Sequence, residues 1–398
     1  MKILHTSDWH LGQNFMGQSR VEEHHSFLTW LLDTIVKEKI DALLVAGDIF
    51  DTGTPPNYAL ELYYNFLKEL SAIKSLKITI ITAGNHDSIA TLKAPKQLLE
   101  ILNIKVITSG DKDEDPIISI YNDDKKLEAI VCAVPFLRDG IIREFSANTT
   151  SKQKEELTNN GIKAYYQNCY EKATILKSDL DIPIIAMGHL TLLGGKNSDS
   201  EREIYIGGKL DIGSNYLGDL FDYVALGHLH RNQKIGLEHI QYSGSPINLS
   251  FSEVNDTKKV NIIEFDKTKA IISKLDIPQT KKLIVLKGDG NTIIKKLENI
   301  EDKDSFIEVH LSDDNPALAN QNIREYASDN DLVILAVKVR KTDEAISIKV
   351  QNAQSLDDLS IQDVFDERIA QDDIVDIKFK EQLNLTFNQV YSKVQEGL

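Results

Sequence analysis

The chain has 398 residues, 41% of them hydrophobic, and carries a formal net charge of −16. This length allows a large buried core in two or three domains, or one large α/β domain with appendages. No apolar run of about 18 residues is present, which argues against a transmembrane helix. The N-terminal residues turn polar by His5 and lack the apolar stretch of a signal peptide.

The acidic charge balance bears on which ligands to expect. A DNA-binding surface normally carries a basic patch that replaces the counterions of the phosphates. Divalent metal ions bound inside an acidic protein, or a partner subunit, can supply positive charge instead. The composition therefore weakens a DNA-binding interpretation without excluding it. The two cysteines, Cys132 and Cys169, lack metal-ligand spacing, and we interpret them as idle thiols in a reducing cytoplasm.

Up to about residue 278, short apolar runs alternate with helical patterns, which is typical of an α/β sandwich. The predicted strands are Lys2–Thr6, Ala42–Ala46, Ile78–Thr82, Leu127–Val134, Pro183–Met187, Tyr223–Leu226 and His239–Tyr242. A helix between the first two strands is indicated by the helical spacing of Leu28, Leu31, Leu32 and Ile35. A second long helix is predicted from Ser151 to Leu176.

The pattern changes after about residue 278. The strands and helices predicted there, in chain order, are Lys282–Leu286, Thr292–Ile300, Ser305–Leu311, Pro316–Ser328 and Leu332–Val339. Beyond them, the chain has the composition of a linker and then two amphipathic helices, about Ile361–Ala370 and Lys378–Gln395. We therefore predict three parts: an α/β domain over residues 1–278, a small α/β cap domain over 279–342, and a helical tail over 343–398.

Five short motifs each follow an apolar strand. They are Asp8-Trp9-His10, Gly47-Asp48-Ile49-Phe50-Asp51, Gly84-Asn85-His86-Asp87, Gly188-His189 and Gly227-His228-Leu229-His230. Four of them place Gly directly before the candidate ligand, where its backbone freedom lets a side chain turn sharply into a cleft. Open α/β sheets bind ligands at the carboxyl ends of their strands, so the motifs are expected to meet there.

The residue types in these motifs indicate a metal site. Carboxylate, imidazole and amide ligands suit divalent cations such as Mn²⁺, Fe²⁺ or Zn²⁺. Asp48 is placed to bridge two cations, which at a separation of about 3.5–4 Å clamp a phosphate and hold an attacking hydroxide. Each motif alone is weak evidence, because a lone His beside Gly is usually structural; the ordered set of five favours the metal site. The histidines outside the motifs, predicted to be structural, are His5, His24, His25, His239 and His310.

The order of the motifs resembles the calcineurin-like metallophosphoesterase superfamily. Within it, the segments TSDWHLG, GDIFDTGTPP, GNHDS and GHLH are similar to the bacterial SbcD family of exonuclease subunits. The resemblance implies a metallophosphoesterase β-sandwich flanked by helices, with a small α/β cap domain and a C-terminal helical tail that binds a partner. It rests on specific motifs over about residues 1–278 and on layout alone beyond them.

The resemblance also implies roles for individual residues. One metal ion would be held by Asp8, His10, Asp48 and His230, and the other by Asp48, Asn85, His189 and His228, with Mn²⁺ as the working ion. His86 would contact the scissile phosphate and help to protonate the leaving oxygen. Asp51 stands where many superfamily members carry an Asp that orients this histidine, whereas archaeal and eukaryotic break-repair nucleases usually carry His. That departure favours the bacterial branch and leaves the catalytic role of Asp51 open.

The function implied is a DNA nuclease that works in repair and recombination, with double-strand exonuclease and single-strand or hairpin endonuclease activity. Its implied partners are DNA and a coiled-coil ATPase of the SbcC type, bound by the C-terminal helices, in a cytoplasmic, nucleoid-associated complex. A homodimer would form through Asn57–Leu70 and Leu92–Leu102, although both helices could simply cover the sheet. Amphipathic helices more often pack on their own domain, but the linker after Thr342 favours the partner.

Two other functions remain open from the sequence. A small-molecule or cyclic-nucleotide phosphodiesterase would use the same metal ligands, and only the added residues after about 278 favour a macromolecular substrate. A non-catalytic scaffold on this fold would be expected to lack one or more ligands, whereas every ligand position is filled here.

Overall fold

The computed structural model describes residues 1–111, 113–142, 151–201, 204 and 212–339. Up to residue 142 the elements are β1 (Lys2–Thr6), β2 (Asn14–Phe15), β3 (Gln18–Ser19), α1 (Val21–Glu38), β4 (Ala42–Ala46), α2 (Asn57–Leu70), β5 (Ile78–Thr82), α3 (Ile89–Lys93), α4 (Lys96–Ile101), β6 (Ile104–Ile107), β7 (Ile117–Tyr121), β8 (Leu127–Ala133) and α5 (Asp139–Ile142). The later elements are α6 (Ser151–Lys177), β9 (Ile184–His189), α7 (Ser214–Gly218), β10 (Tyr223–Gly227), β11 (Gln233–Lys234), β12 (Ile240–Tyr242), β13 (Lys259–Asp266), β14 (Lys269–Asp276), β15 (Leu283–Gly288), α8 (Gly290–Leu297), β16 (Phe306–Leu311), α9 (Pro316–Asp329) and β17 (Val333–Val339). Within these ranges, none of the helices combines the length and apolar character needed to cross a bilayer.

Two six-stranded sheets form the larger domain. The first has the strand order β14-β13-β1-β4-β5-β6, and the second has the order β11-β12-β10-β9-β8-β7. Strands β1, β4, β5 and β6 are parallel to one another, as are β8, β9, β10 and β12. The carboxyl ends of each parallel set therefore lie at one edge of its sheet.

The two sheets pack face to face over a core rich in small residues. Ala42, Ala46 and Ile80 of the first sheet belong to the same buried cluster as Ala129 and Met187 of the second. Alanines at these positions let the sheets approach closely, and the strands are buried on both faces, as is typical of parallel sheets that are covered by helices.

Helices cover the outer faces of the sandwich. The apolar side of α1 buries Phe27, Leu31 and Ile35 against the first sheet, and α2 joins the same cluster. Helix α6 contributes Ile162 and Tyr166 to the core outside the second sheet. The predicted α/β fold, a metallophosphoesterase-type β-sandwich flanked by helices, is confirmed.

A three-stranded parallel sheet, in the order β15-β16-β17, follows the sandwich. Helices α8 and α9 cover one face of it, where Ile293 and Ile323 are fully buried. Asp289 and Asn315 cap these helices by accepting hydrogen bonds from the amides of Thr292 and Leu318. These five elements lie within the segment predicted as the cap domain, residues 279–342, and match the predicted order with ends shifted by a few residues.

The chain segments predicted as strands agree with the structure to within two residues at most ends. The described residues also contain strands that were not predicted: β2, β3, β6, β7, β11, β13 and β14. The two amphipathic helices predicted at Ile361–Ala370 and Lys378–Gln395 lie outside the described residues.

Candidate metal centre

The loops that follow β1 and β4 leave the first sheet side by side, because the two strands are parallel neighbours. The amide of Asp8 donates to the Gly47 carbonyl (3.0 Å), and the amide of His10 donates to the Asp48 carbonyl (3.0 Å). Asp8, His10 and Asp48 have φ of 53°, 48° and 50°, in the left-handed region that residues other than glycine rarely occupy. Such backbone costs about 1–3 kcal/mol per residue and clusters at functional sites. Three such residues in two adjacent loops mark this edge as a candidate site.

The remaining motifs reach the same place from neighbouring strands. His189 ends β9, and the adjacent parallel strand β10 leads directly into His228, which has φ of 95°. The amide of His228 donates to Asp8 Oδ1 (2.8 Å), which ties the second sheet to the first. The amide of His86, in the loop after β5, donates to Asp48 Oδ1 (2.9 Å). All five motifs therefore converge, as the sequence predicted.

Two of the motif glycines are needed for different reasons. Gly47 has φ of 85°, and a Cβ built on it would lie 2.2 Å from Nδ1 of His189. Gly84 lies outside the left-handed region, but a Cβ there would lie 2.2 Å from Oδ1 of Asp48. Backbone freedom, predicted as the reason for these glycines, applies at Gly47, whereas at Gly84 the reason is the lack of space beside the candidate ligand Asp48.

The predicted ligands fall into two groups, and within each group one ligand atom per residue lies within 4.8 Å of the others: Asp8, His10 and His230, and then Asp48, His189 and His228. Oδ2 of Asp48 lies 3.6 Å from His10 Nε2 and 3.3 Å from His189 Nε2. Asn85 Oδ1 lies 2.9 Å from His189 Nε2, which adds Asn85 to the second group. Asp48 thus faces both groups, as a ligand that bridges two cations must.

The histidine hydrogen bonds show that these residues fit divalent cations. Nδ1 contacts a protein acceptor in three of them: the Asp51 carboxylate for His10 (3.2 Å), the Ala46 carbonyl for His189 (3.0 Å) and the Ser200 hydroxyl for His230 (2.6 Å). Metal-ligating histidines commonly hold their second nitrogen in this way, which leaves Nε2 for the metal. Nε2 of His10 is buried and has no hydrogen-bond partner among the described residues. Such an atom is rare in a folded protein unless a ligand completes it.

The electrostatics of the cluster also favour added positive charge. Burial raises the pKa of Asp8, whose side chain is completely enclosed. Burial would also raise the pKa of Asp48, but the charge and hydrogen bond of His189 hold it well below its usual range. Burial lowers the pKa of His189, and the Asp48 carboxylate overrides this and raises it to about 9. Divalent cations would replace the proton that this raised pKa keeps on His189, so metal binding is expected to release protons.

His86 and Asp51 lie beside the first group. The ring of His86 is 4.9 Å from that of His10, and its Nδ1 lies 2.7 Å from the backbone carbonyl of Asp51. The carboxylate of Asp51 contacts Nδ1 of His10 instead (3.2 Å). The resemblance implied that an Asp at this position orients the catalytic histidine; here its backbone does so, and its side chain orients a candidate metal ligand.

Comparisons with known proteins agree with this geometry. Residues 1–232 match the calcineurin-like phosphoesterase family, and residues 279–373 match the family described as type 5 capsule protein repressor C-terminal domain. The D subunit of the nuclease SbcCD from Escherichia coli (strain K12) is 38% identical over 381 residues, which cover 94% of each chain. Proteins of the same name from Staphylococcus epidermidis and Bacillus subtilis are 31% and 37% identical, and the matches cover 78% and 66% of this chain and 79% and 66% of theirs. The chain belongs to the SbcD family of nuclease subunits.

In this SbcD-family chain, Asp87 has a structural role that the sequence analysis did not assign. Its carboxylate accepts hydrogen bonds from the amides of Ile49, Phe50 and Gly84, at 3.1, 3.0 and 2.8 Å. Burial, together with the charge of Asp48, raises the pKa of Asp87 to about 6 despite these bonds. Asp87 thus joins the loops after β4 and β5. Its place in the GNHD motif was the signal that could have identified it.

A buried network that was not predicted surrounds His230 of the SbcD-family site. Ser200 Oγ, which contacts Nδ1 of His230, donates to Glu253 (2.5 Å), and Lys258 donates to both Glu253 (2.6 Å) and the His230 carbonyl (3.1 Å). Glu201 accepts from the amide of His230 (2.7 Å). Ser200 and Glu253 are 53 residues apart, so no short motif could reveal the pair.

A cavity of about 950 Å³ opens beside the first group of this SbcD-family site. Its walls include His10, His86 and His230 on the side of the sandwich, and Lys287 and His310 on the side of the cap domain. The cap domain therefore takes part in enclosing the space in front of the candidate metal ligands.

Proposed function

We propose that this chain is a DNA nuclease subunit that hydrolyses phosphodiester bonds at a centre of two divalent cations, with Mn²⁺ as the working ion. The observation that carries the proposal is the position of Asp48, whose Oδ2 faces the histidine nitrogens of both ligand groups. When bound, two cations polarise a phosphodiester and supply an activated water molecule. The names of the relatives support nuclease activity as the reaction.

The residues of the chain would divide the remaining work. His86 is half-buried, lines the cavity, and has its Nδ1 held by the Asp51 carbonyl, so its Nε2 is available to a substrate. Positioned in this way, it is suited to bind the scissile phosphate and to donate a proton to the leaving oxygen. Asp51 would act as a positioning residue for both His10 and His86.

A macromolecular substrate is supported by the cap domain. Residues of its strands, among them Lys287 and His310, line the same cavity as the candidate metal-ligating histidines His10 and His230, and this cavity of about 950 Å³ is larger than one small phosphodiester needs. DNA carries a phosphate on every nucleotide, so a strand can contact both walls. We propose DNA ends and hairpins as the substrates, processed in repair and recombination in the nucleoid.

The test uses two substrates and one pair of variants. The full chain with Mn²⁺ should cleave linear duplex DNA, and it should also cleave bis(p-nitrophenyl) phosphate at the same centre. His86→Ala should lose activity by about 10²–10⁴-fold while it still binds metal, because it removes an acid–base group and no ligand. His25→Ala, an exposed histidine outside the cluster, is the matched control. Cleavage of the small phosphodiester alone would overturn the nuclease proposal, and near-normal cleavage by His86→Ala would overturn the role of His86.

We also propose that residues 343–398 bind the coiled-coil base of an SbcC-type ATPase. The relatives are subunits of a complex by name, and the family match over residues 279–373 continues into this segment. Co-purification of the ATPase with a chain that lacks residues 350–398 would contradict this assignment.

A homodimer through α2 and the region of α3 and α4 is supported by exposed apolar side chains. Leu98 and Ile101 are 63% and 78% exposed, and Tyr64 on α2 is 39% exposed. An exposed apolar group of this kind often marks a protein interface. Leu98→Glu with Ile101→Glu should yield a monomer in sedimentation experiments. Ile175→Glu, which changes an equally exposed residue on α6, should leave the dimer intact.

A further inference from the structure

On the face of the cap sheet toward the cavity, the side chains change from apolar to basic along the strands. Near the start of β15 and β16, Leu283 and Phe306 pack in an apolar cluster with two phenylalanines of the larger domain. Four residues further along each strand, Lys287 pairs in register with His310, and His310 pairs with Lys338 on β17. Side chains at matching positions of parallel strands lie side by side. We call Lys287, His310 and Lys338 the cap row, and all three line the cavity.

The cap row has a surplus of positive charge. Glu308 is almost fully enclosed and lies 2.7 Å from both Lys338 Nζ and His310 Nε2. Lys287 forms no ion pair among the described residues, and the side chain of Lys338 is 60% exposed despite its contact with Glu308. Two lysines therefore face one carboxylate. In addition, Nδ1 of His310 is buried and has no hydrogen-bond partner in the described part of the chain. A buried nitrogen without a partner is unusual in a folded protein.

This placement is informative because the chain as a whole carries a net charge of −16. Lysines on an acidic protein are normally distributed over its solvated surface, whereas these two lie in the wall of the cavity that holds the candidate metal ligands. A substrate phosphate bound by the two cations would lie at the other wall of this cavity, which His10, His86 and His230 of the sandwich form. A nucleic-acid strand brings further phosphates into the same cavity, and lysine binds such groups as a point charge.

We propose that Lys287 and Lys338 form a subsite that binds a backbone phosphate of the DNA strand flanking the scissile phosphodiester. His310 and Glu308 hold this subsite: Glu308 fixes the position of Lys338, and His310 separates the two lysines within the row. Contacts of this kind position a nucleic acid without reading its sequence. The proposal rests on the proposed nuclease function, since a small phosphodiester has no flanking phosphate.

The test compares two substrates in the full chain with Mn²⁺. In the variant Lys287→Gln/Lys338→Gln, the KM for a DNA oligonucleotide should rise by about tenfold at low salt, with kcat nearly unchanged, because binding is lost equally in the ground and transition states. The dependence of log(kcat/KM) on log[salt] should become shallower by about one unit, since the one phosphate contact that is lost contributes about 0.9. Kinetics with bis(p-nitrophenyl) phosphate should remain at the wild-type values.

The matched control is Lys295→Gln/Lys303→Gln, which removes the same charge from exposed positions of the same domain outside the cavity. Lys287→Gln alone, which leaves the Glu308 ion pair intact, should give about half of the change in salt dependence. The variant Lys338→Arg, which keeps the positive charge, should bind DNA as the wild-type chain does. An unchanged KM and salt dependence for DNA, or a change equal to that of the control, would overturn the subsite. An equal loss with the small phosphodiester would also overturn it, because the effect would then lie at the metals. Failure of the wild-type chain to cleave any DNA would instead refute the proposed function itself.

Discussion

Asp51 offers a sharp single-residue test of the metal centre, because its carboxylate contacts the candidate ligand His10. Its Oδ1 lies 3.2 Å from Nδ1 of His10, whose Nε2 is directed at Asp48. Asp51→Asn keeps the size of the side chain and an oxygen that accepts the hydrogen bond. The substitution removes the negative charge. In the wild-type chain this charge strengthens the hydrogen bond from His10 and makes its imidazole a better metal ligand.

The size of the effect follows from the exposure of the group. A hydrogen bond to a charged acceptor is worth about 1.5–3 kcal/mol, against about 0.5–1.5 kcal/mol for a neutral one. The Asp51 side chain is 28% exposed, so solvent screening places the loss at the low end of that difference. We expect Asp51→Asn to weaken Mn²⁺ binding by about 1 kcal/mol, or roughly fivefold. Asp51→Ala removes the bond and should weaken it by about tenfold or more.

The assay is a competition titration of Mn²⁺ against a chelating dye, with the full chain and without substrate. Asp41→Asn is the control, because Asp41 has a similar exposure of 23% but contacts Lys77 at the opposite end of β4. Weaker binding should be confined to one of two Mn²⁺ equivalents. Wild-type affinity in both Asp51 variants would refute the argument that Asp51 positions a metal-ligating His10.

Three further predictions concern stability and the second ligand group. Removal of metal with EDTA should lower the unfolding free energy by about 2.7 kcal/mol for each bound ion, relative to a sample with Mn²⁺ at 100 times the dissociation constant of that ion; identical calorimetric transitions would contradict bound metal. Burial lowers the pKa of His5 in the folded chain to about 3, despite its hydrogen bond to the carbonyl of Leu226. As the pH falls, the imidazole is therefore protonated in the unfolded chain before it is protonated in the folded chain. Stability in urea, measured with EDTA present, should therefore fall by about 1.4 kcal/mol per pH unit below pH 6.5 on account of His5; His5→Gln should flatten this slope, and an unchanged slope would be evidence against it. Gly84→Ala should displace Asp48 and reduce Mn²⁺ binding strongly, whereas Gly140→Ala, where a Cβ meets nothing within 4 Å, should not; equal affinities would contradict the packing argument.

The sequence indicated which residues meet at the edge of the sandwich because each candidate ligand follows a buried strand closely in the sequence. Runs such as Ala42–Ala46 are too apolar to be anything but core, and in a parallel sheet the residues that follow them must share one edge. Asp8, Asp48 and Asn85, which follow β1, β4 and β5 of the first sheet, could therefore be placed at one edge, whereas the approach of His189 and His228 from the second sheet depends on how the two sheets pack.

The features that were missed depend on contacts that are distant in sequence or weakly patterned. Strand β6 has only four residues, and β14 has lysines and a serine among its apolar residues because it lies at the edge of the sheet. Pairing with β13 stabilises β14, and a single segment carries no sign of that pairing. The bond from Ser200 to Glu253 likewise joins a turn to the short 3-10 helix Phe251–Glu253, 53 residues away. Which atoms of Asp51 contact His86, 35 residues away in the sequence, depends on how the loops after β4 and β5 pack.

The central claim is a centre of two metal ions bridged by Asp48, and it can be tested by X-ray diffraction from crystals soaked in Mn²⁺. Anomalous difference maps should show two peaks about 3.5–4 Å apart, one beside Asp8, His10 and His230 and the other beside Asn85, His189 and His228, with the Asp48 carboxylate between them. A single peak, or two peaks that Asp48 does not bridge, would contradict the account.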